Sequence, residues 1–320
     1  MKIYFLASGE IAVPVLRRLA GSSEVELVGC GTQPDHPAGR RRRLTPTPFG
    51  AAAAELGLPL DKIPDVNTPD FLEALSAKQP EIVLVFSFGQ LLREQLLALP
   101  GATCVNIHAS LLPRYRGASP VAQAILNGDD RSGVSFIRMV RALDAGPVFR
   151  SFTLPLSGSE TAEELEKRLG ELAALHVVEV LGGIVSGEVT AQPQDETIKS
   201  ICRKLRKEDG RINWHDSAGR IAAMVRAFRP WPGAHCRFVT SRGESSATIW
   251  QARVRPELHL EPGTGAVVSR RELCVGCGSG GALEILELAP AGAKPMSAAE
   301  FLNGLRGEIP KFPPPEADAG

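Results

Sequence analysis

The sequence has no excess charge of either sign, with 36 Lys plus Arg balancing 36 Asp plus Glu. A global field that draws in nucleic acid is thereby excluded, and any RNA contact must rest on local basic clusters. Long hydrophobic runs are missing as well. Stretches such as Ile82 to Phe86 are strand-sized and fall far short of a bilayer span. The apolar start is cut by Ser8-Gly9-Glu10 before it reaches the length of a secretory core, so it reads as a first strand. The expectation is a cytoplasmic chain with no membrane partner. Only Gly9 stands where a dinucleotide-binding domain would place G-x-G-x-x-G, which disfavours NAD. The six cysteines are scattered as in a reduced protein, and Cys274-x-x-Cys277 has no second ligand pair nearby. The histidines 176, 215, 235 and 259 lack ligand spacing, so no metal is expected.

What is present has the balance of an ordinary globular protein, at 43% hydrophobic and 22% charged residues over 320 positions. The first half alternates strand-like and helix-like segments. Strands are expected at Lys2 to Ala7, 24 to 32, Glu81 to Phe88, Thr103 to His108 and Gly133 to Met139. Asn67-Thr68-Pro69 opens a helix, as does Thr161 with Glu164 in a capping box. This alternation implies an α/β domain with an open, mostly parallel sheet, whose sites lie at the carboxyl ends of the strands. A basic stretch follows at 199 to 211. After it come one helix, Ser217 to Phe228, and short β-rich runs divided by Gly and Pro, the pattern of a small barrel. The expected division is a catalytic domain at 1–190, a linker at 191–208, a β-barrel domain at 209–307 and a disordered Pro-rich tail at 308–320.

The chemistry concentrates in the middle of the first domain. In Val105-Asn106-Ile107-His108 the strand period of two puts Asn106 and His108 on one face at a strand's carboxyl end. Taken alone, such a pair could equally satisfy loop backbone. The long loop Ser110-Leu111-Leu112-Pro113-Arg114-Tyr115-Arg116-Gly117 follows directly, and Leu143-Asp144-Ala145-Gly146 places a carboxylate after the next strand. An amide, an imidazole and a carboxylate on neighbouring strand ends suit acid–base chemistry.

N-I-H-A-S-L-L-P-R-Y-R-G followed by L-D-A-G resembles the signature of the folate-dependent formyltransferases. Thr32-Gln33-Pro34-Asp35-His36-Pro37-Ala38-Gly39-Arg40 with Leu44-Thr45-Pro46, Phe88-Gly89-Gln90, Asn213-Trp214, Pro230-Trp231-Pro232-Gly233-Ala234 and the stretch Pro290 to Gly304 are similar to the branch acting on methionyl-tRNA. The first turn departs from that branch's G-T-P-E-F, reading Ala7-Ser8-Gly9-Glu10-Ile11.

The resemblance implies a Rossmann-like formyltransferase fold, an OB-like β-barrel behind it, and transfer of a formyl group from 10-formyltetrahydrofolate to the amino group of initiator methionyl-tRNA by a monomer. It implies catalytic roles for Asn106, His108 and Asp144. Asn106 and protonated His108 would face the oxyanion, while Asp144 would orient His108 or relay its proton. Folate contacts are expected from Phe88, Gly89, Gln90, Ser110, Leu111, Leu112, Pro113 and Leu143. Contacts to tRNA are expected from Arg40, Arg41, Arg42, Arg43, Lys204, Arg206 and Lys207, because guanidinium and ammonium groups pair with phosphate. The same chemistry on an amino-sugar nucleotide, hydrolysis of the formyl donor, and an inert RNA-binding relative are the rival readings.

Overall fold

The computed structural model describes residues 1–38, 43–269 and 271–313. The chain divides into two compact units. The first holds residues 1–120, 131–155 and 165–203; the second holds 121–130, 156–164 and 204 onward.

In the first unit the strands are β1 (Lys2–Ala7), β2 (Glu26–Thr32), β3 (His36–Ala38), β4 (Arg43–Thr45), β5 (Leu60–Lys62), β6 (Ile82–Phe86), β7 (Thr103–His108), β8 (Arg116–Gly117), β9 (Arg131–Arg138), β10 (Val148–Pro155) and β11 (Ile201–Cys202). Seven of them form one sheet in the order β10-β9-β7-β6-β1-β2-β5. Pairing is parallel from β5 through β7 and antiparallel where β9 and β10 join. The all-apolar run of β6 is buried along its whole length, as a parallel strand covered on both faces must be.

The helices in the chain up to residue 186 are α1 (Val13–Ala20), α2 (Pro48–Glu55), α3 (Pro69–Ala77), α4 (Glu94–Leu97), α5 (Pro120–Leu126) and α6 (Ala162–Ser186), of which α5 past Pro120 and the first three residues of α6 fall in the second unit. Thr47 and Thr68 cap α2 and α3, each followed by Pro at the first helical position, where no amide donor is missed. Thr161 and Glu164 make the expected capping box, with Thr161 N donating to Glu164 Oε2 at 2.8 Å and Glu164 N to Thr161 Oγ1 at 3.3 Å. At 25 residues, α6 is long and apolar enough to cross a membrane by length and composition. In this fold its i, i+4 stripe Leu165, Leu169, Ala173, Val177 and Leu181 is fully covered by protein.

In the second unit, α7 (Ala218–Ala227) and α8 (Ala298–Gly304) accompany β12 (Ala234–Thr240), β13 (Gly243–Arg255), β14 (Gly265–Ser269), β15 (Glu272–Gly276), β16 (Ala282–Pro290) and β17 (Met296–Ser297). These strands form one antiparallel sheet in the order β12-β13-β16-β15-β14, with β17 beside β16. Its core gathers Trp214, Ile221, Val225, Phe238, Leu273, Phe301 and neighbours.

One expectation needs correction. The tail from 308 is not disordered as far as it is described. Val239 and Lys311 exchange backbone hydrogen bonds of 2.8 and 3.0 Å, Phe312 N donates to Gly263 O, and the Phe312 ring is 1% exposed. This short segment links the free edge of β12 to the turn entering β14, so backbone groups that a sheet edge would leave unpaired are used. Positions 314–320 lie outside the described residues. Within the expected linker 191–208, residues 194–202 hydrogen-bond to the loop that follows β7.

Candidate active site

Strand β7 ends at His108, between parallel β6 and antiparallel β9. Antiparallel β9 runs toward the amino end of β7, with Arg138 opposite Val105 and Met139 N donating to Cys104 O, and the loop after it carries Asp144 back to Asn106 and His108. Three side chains meet there. Asn106 Nδ2 lies 3.4 Å from Asp144 Oδ1, and His108 Nδ1 lies 3.6 Å from Asp144 Oδ2. The side chains of His108 and Asp144 are 6% and 9% exposed. His108 Nε2 sits 2.8 Å from the Tyr115 carbonyl oxygen. A carbonyl can only accept, so Nε2 carries a proton and Nδ1 is the atom turned to the carboxylate. Asp144 Oδ2 also accepts from the Gly117 amide at 2.9 Å. The carboxylate is thus held by backbone and reaches the imidazole at ion-pair distance.

The backbone around the three groups is bent to bring them together. Asp144 has φ 50° and Tyr115 φ 62°, the left-handed region that a bulky Tyr enters only when its surroundings require it. Those surroundings are hydrogen bonds made by the segment 194–202. Tyr115 N donates to Ser200 Oγ at 2.8 Å, Arg116 N to Ser200 O, and β8 pairs with β11. The Arg116 guanidinium, 6% exposed, donates to Gln194 Oε1 through Nε and Nη2 at 3.0 and 2.7 Å and to Glu196 at 2.7 Å. That guanidinium and Lys199 hold the Glu196 carboxyl down at about 2. On the other side Ser135, fully buried on β9 opposite His108, accepts from Leu112 N at 3.1 Å and donates to Ser110 O at 2.8 Å.

The residues expected to touch folate fall into two groups. Ser110, Leu111, Leu112 and Pro113 line the loop beside the three polar groups, and Leu143, 55% exposed, precedes Asp144. Phe88, Gly89 and Gln90 follow β6, but the Phe88 ring is buried in the core and the Gln90 amide is spent on the backbone of Ile63, Pro64 and Val66. They shape the loop and leave Gly89, at φ 85°, as its exposed backbone. The unusual first turn keeps its hydroxyl tie, since Ser8 Oγ donates to Phe88 O and accepts from Gln33 N, both at 3.2 Å. A Cβ on Gly9 would strike Ser87 Oγ, which explains the glycine there.

Of the residues expected to meet tRNA, Arg40, Arg41 and Arg42 lie outside the described residues. Arg43 is exposed on β4. Lys204, Arg206 and Lys207 are exposed at the start of the second unit's last segment, and Lys207 lines a cleft of about 380 Å³ with Arg211, His235 and Thr248. Residues that the sequence did not single out include Gln194, Ser135 and Ser200, whose partners are distant in the chain. Among the described residues no cluster of His, Cys, Asp and Glu has the arrangement of a metal site.

An amide, an imidazole and a carboxylate gathered at one strand mouth beside S-L-L-P, in a chain that continues into a β domain, define a class. The chain belongs to the formyl transferase family, matching the "Formyl transferase" model over residues 1–181 and the "Formyl transferase, C-terminal domain" model over 204–306. More particularly, it is similar along nearly its whole length to proteins named methionyl-tRNA formyltransferase. That of Methylococcus capsulatus is 38% identical over 303 residues, covering 95% of this chain and 96% of the relative. That of Roseiflexus castenholzii is 39% identical over 308 residues, covering 96% of each. Among solved structures, HypX from Aquifex aeolicus in complex with tetrahydrofolic acid shares the fold, with a TM-score of 0.65 at 19% identity. The alignment covers 95% of this chain and 47% of that one, so this chain spans about half the length of HypX.

Proposed function

We propose that this protein transfers the formyl group of 10-formyltetrahydrofolate to the free amino group of initiator methionyl-tRNA. The observation that carries this reading is the convergence of Asn106, His108 and Asp144 at one strand mouth in a chain whose full-length relatives bear that activity in their names. The donor set fits a formyl-group donor: one amide N–H for a developing oxyanion, one titratable nitrogen for proton exchange, and one carboxylate to balance the imidazolium.

In this chemistry the amine lone pair attacks the formyl carbon and the carbonyl electron pair moves onto oxygen. Asn106 Nδ2 donates to that oxyanion. His108 Nδ1 takes the proton that the amine sheds and returns one to the folate nitrogen as the carbon–nitrogen bond breaks. Asp144 stabilises the charged imidazole. Its 3.6 Å separation from Nδ1 supports transfer through an intervening water rather than a direct hydrogen bond. Leu111, Leu112 and Leu143 supply apolar surface beside the polar trio for a flat aromatic donor, and Gly89 and Ser110 add backbone to that wall. Lys204, Arg206, Lys207 and the arginines 40 to 43 meet the tRNA backbone.

The test is formylation by purified protein with 10-formyltetrahydrofolate and methionyl-tRNA, beside uncharged tRNA and an amino-sugar nucleotide. Formylation of the charged tRNA alone is the expected result. Release of tetrahydrofolate without formylated tRNA, or formylation of the sugar, would overturn the acceptor assignment.

A further inference from the structure

The Asp144 turn owes its position to a side chain 50 residues away. Gln194 Nε2 donates to the carbonyl oxygens of Asp144 and Gly146, each at 2.7 Å, so both of its N–H groups are used on the turn that carries the carboxylate. Its Oε1 accepts two hydrogen bonds from the buried Arg116 guanidinium. Arg116 immediately precedes Gly117, whose amide holds Asp144 Oδ2, and follows Tyr115, whose carbonyl holds His108 Nε2. One primary amide therefore connects the backbone under the carboxylate with the backbone that fixes both carboxylate and imidazole. Asp144 sits at φ 50°, so its turn needs outside support to persist. Gly146 is pressed against the Arg138 carbonyl, which leaves the turn little room to settle elsewhere.

We infer that Gln194 is a positioning residue: it sets the distance between Asp144 and His108, and Arg116 holds Gln194 in place for that task. The inference rests on the reading of Asp144 and His108 as the proton-handling pair. Gln194 touches no reacting atom, so its loss should act through Asp144 and leave substrate binding nearly intact.

Gln194→Glu separates this role from plain packing. A carboxylate at 194 keeps, and strengthens, its contact with Arg116 but has no proton to donate to the carbonyls of Asp144 and Gly146. Full-length Gln194→Glu and Gln194→Met are compared with the parent in steady-state formylation of methionyl-tRNA, each alone and in an Asp144→Asn background. The expected result is a fall in kcat of about tenfold or more for either variant, with KM for both substrates within about twofold and a displaced kcat–pH profile. In the Asp144→Asn background neither change should lower kcat further, because residues acting as a unit are non-additive. An unchanged kcat in Gln194→Glu, or an equal further loss in the Asp144→Asn background, overturns the inference. Imidazole nitrogen NMR of His108 decides the matter apart from activity. If the parent protein formylates nothing, the functional reading fails, yet a His108 resonance that moves in Gln194→Glu still sustains the positioning role, and one that does not move refutes it.

Discussion

At the scale of single residues, the three polar groups at the mouth of β7 carry different chemical demands, and substitution separates them. Asn106→Ala removes the donor aimed at the oxyanion. His108→Ala removes the atom that must accept and return a proton. Each should lower kcat by about a hundredfold or more, measured by formylation of charged tRNA at saturating folate. Turnover near that of the parent in either variant would show that the residue does not serve the reaction. Gly117 belongs to the same scale. Its φ of 115° excludes side chains, and an added Cβ would lie well inside van der Waals contact of the Cys202 carbonyl. Its amide is also the backbone donor to Asp144 Oδ2. Gly117→Ala should therefore lower both the melting temperature and kcat, the latter by about tenfold or more as the carboxylate shifts. A variant with normal kcat would show that the carboxylate does not depend on that amide.

At the scale of elements, the site is a seam between β7, the loop after it, and segments brought in from elsewhere. Ser135 shows how tight that seam is. The hydroxyl is fully buried and serves Leu112 N and Ser110 O at once, with Ser151 Oγ 2.9 Å away. Ser135→Ala leaves an amide and a carbonyl without those partners, at a cost of about 1–3 kcal/mol. Urea unfolding should show that loss with an unchanged slope, and unaltered stability would mean that water replaces the hydroxyl. Much of this was legible beforehand. The period-two spacing of Asn106 and His108, the unbroken apolar run of β6, and the caps at Thr68 and Thr161 are local patterns, and the structure places them as the sequence implies. Gln194, Ser135 and Ser200 were not legible, because their partners lie between 16 and 85 positions away and no local periodicity records such pairs. Composition also misled at Phe312, where a run of prolines reads as disorder although the sheet edge beside it needs a partner. Strand β10 escaped notice for a related reason: at the sheet edge its side chains alternate weakly between exposed and half-buried, which leaves little pattern.

At the scale of the whole molecule, the cysteines tie stability to alkaline pH. All six are free and buried, spread over both units. Burial in apolar surroundings disfavours the thiolate, and it pushes Cys30, Cys104 and Cys236 up to about 12 from an ordinary 9. For Cys30 the nearby Asp61 carboxylate adds to the effect. The sign follows from linkage. Below pH 9 the thiols are protonated in both folded and unfolded chains, and their stabilising protonation is fully present. Between about 9 and 12 the unfolded chain loses these protons while the folded chain keeps them, so the unfolded state gains. Each such cysteine should then cost on the order of 1.4 kcal/mol of stability per pH unit in that window. Serine would put a hydroxyl where Cys104 Sγ donates to Leu96 O and so alter hydrogen bonding as well as titration, which makes alanine the cleaner probe: Cys104→Ala and Cys236→Ala lose packing at neutral pH but should flatten the alkaline limb. The measurement is urea unfolding of the parent and both variants at pH 8, 9.5 and 10.5, with native thiol alkylation alongside. Parent stability should fall steeply above pH 9 while alkylation of the folded chain stays slow. A variant whose stability falls with the same alkaline slope as the parent would assign that loss to groups other than its missing thiol.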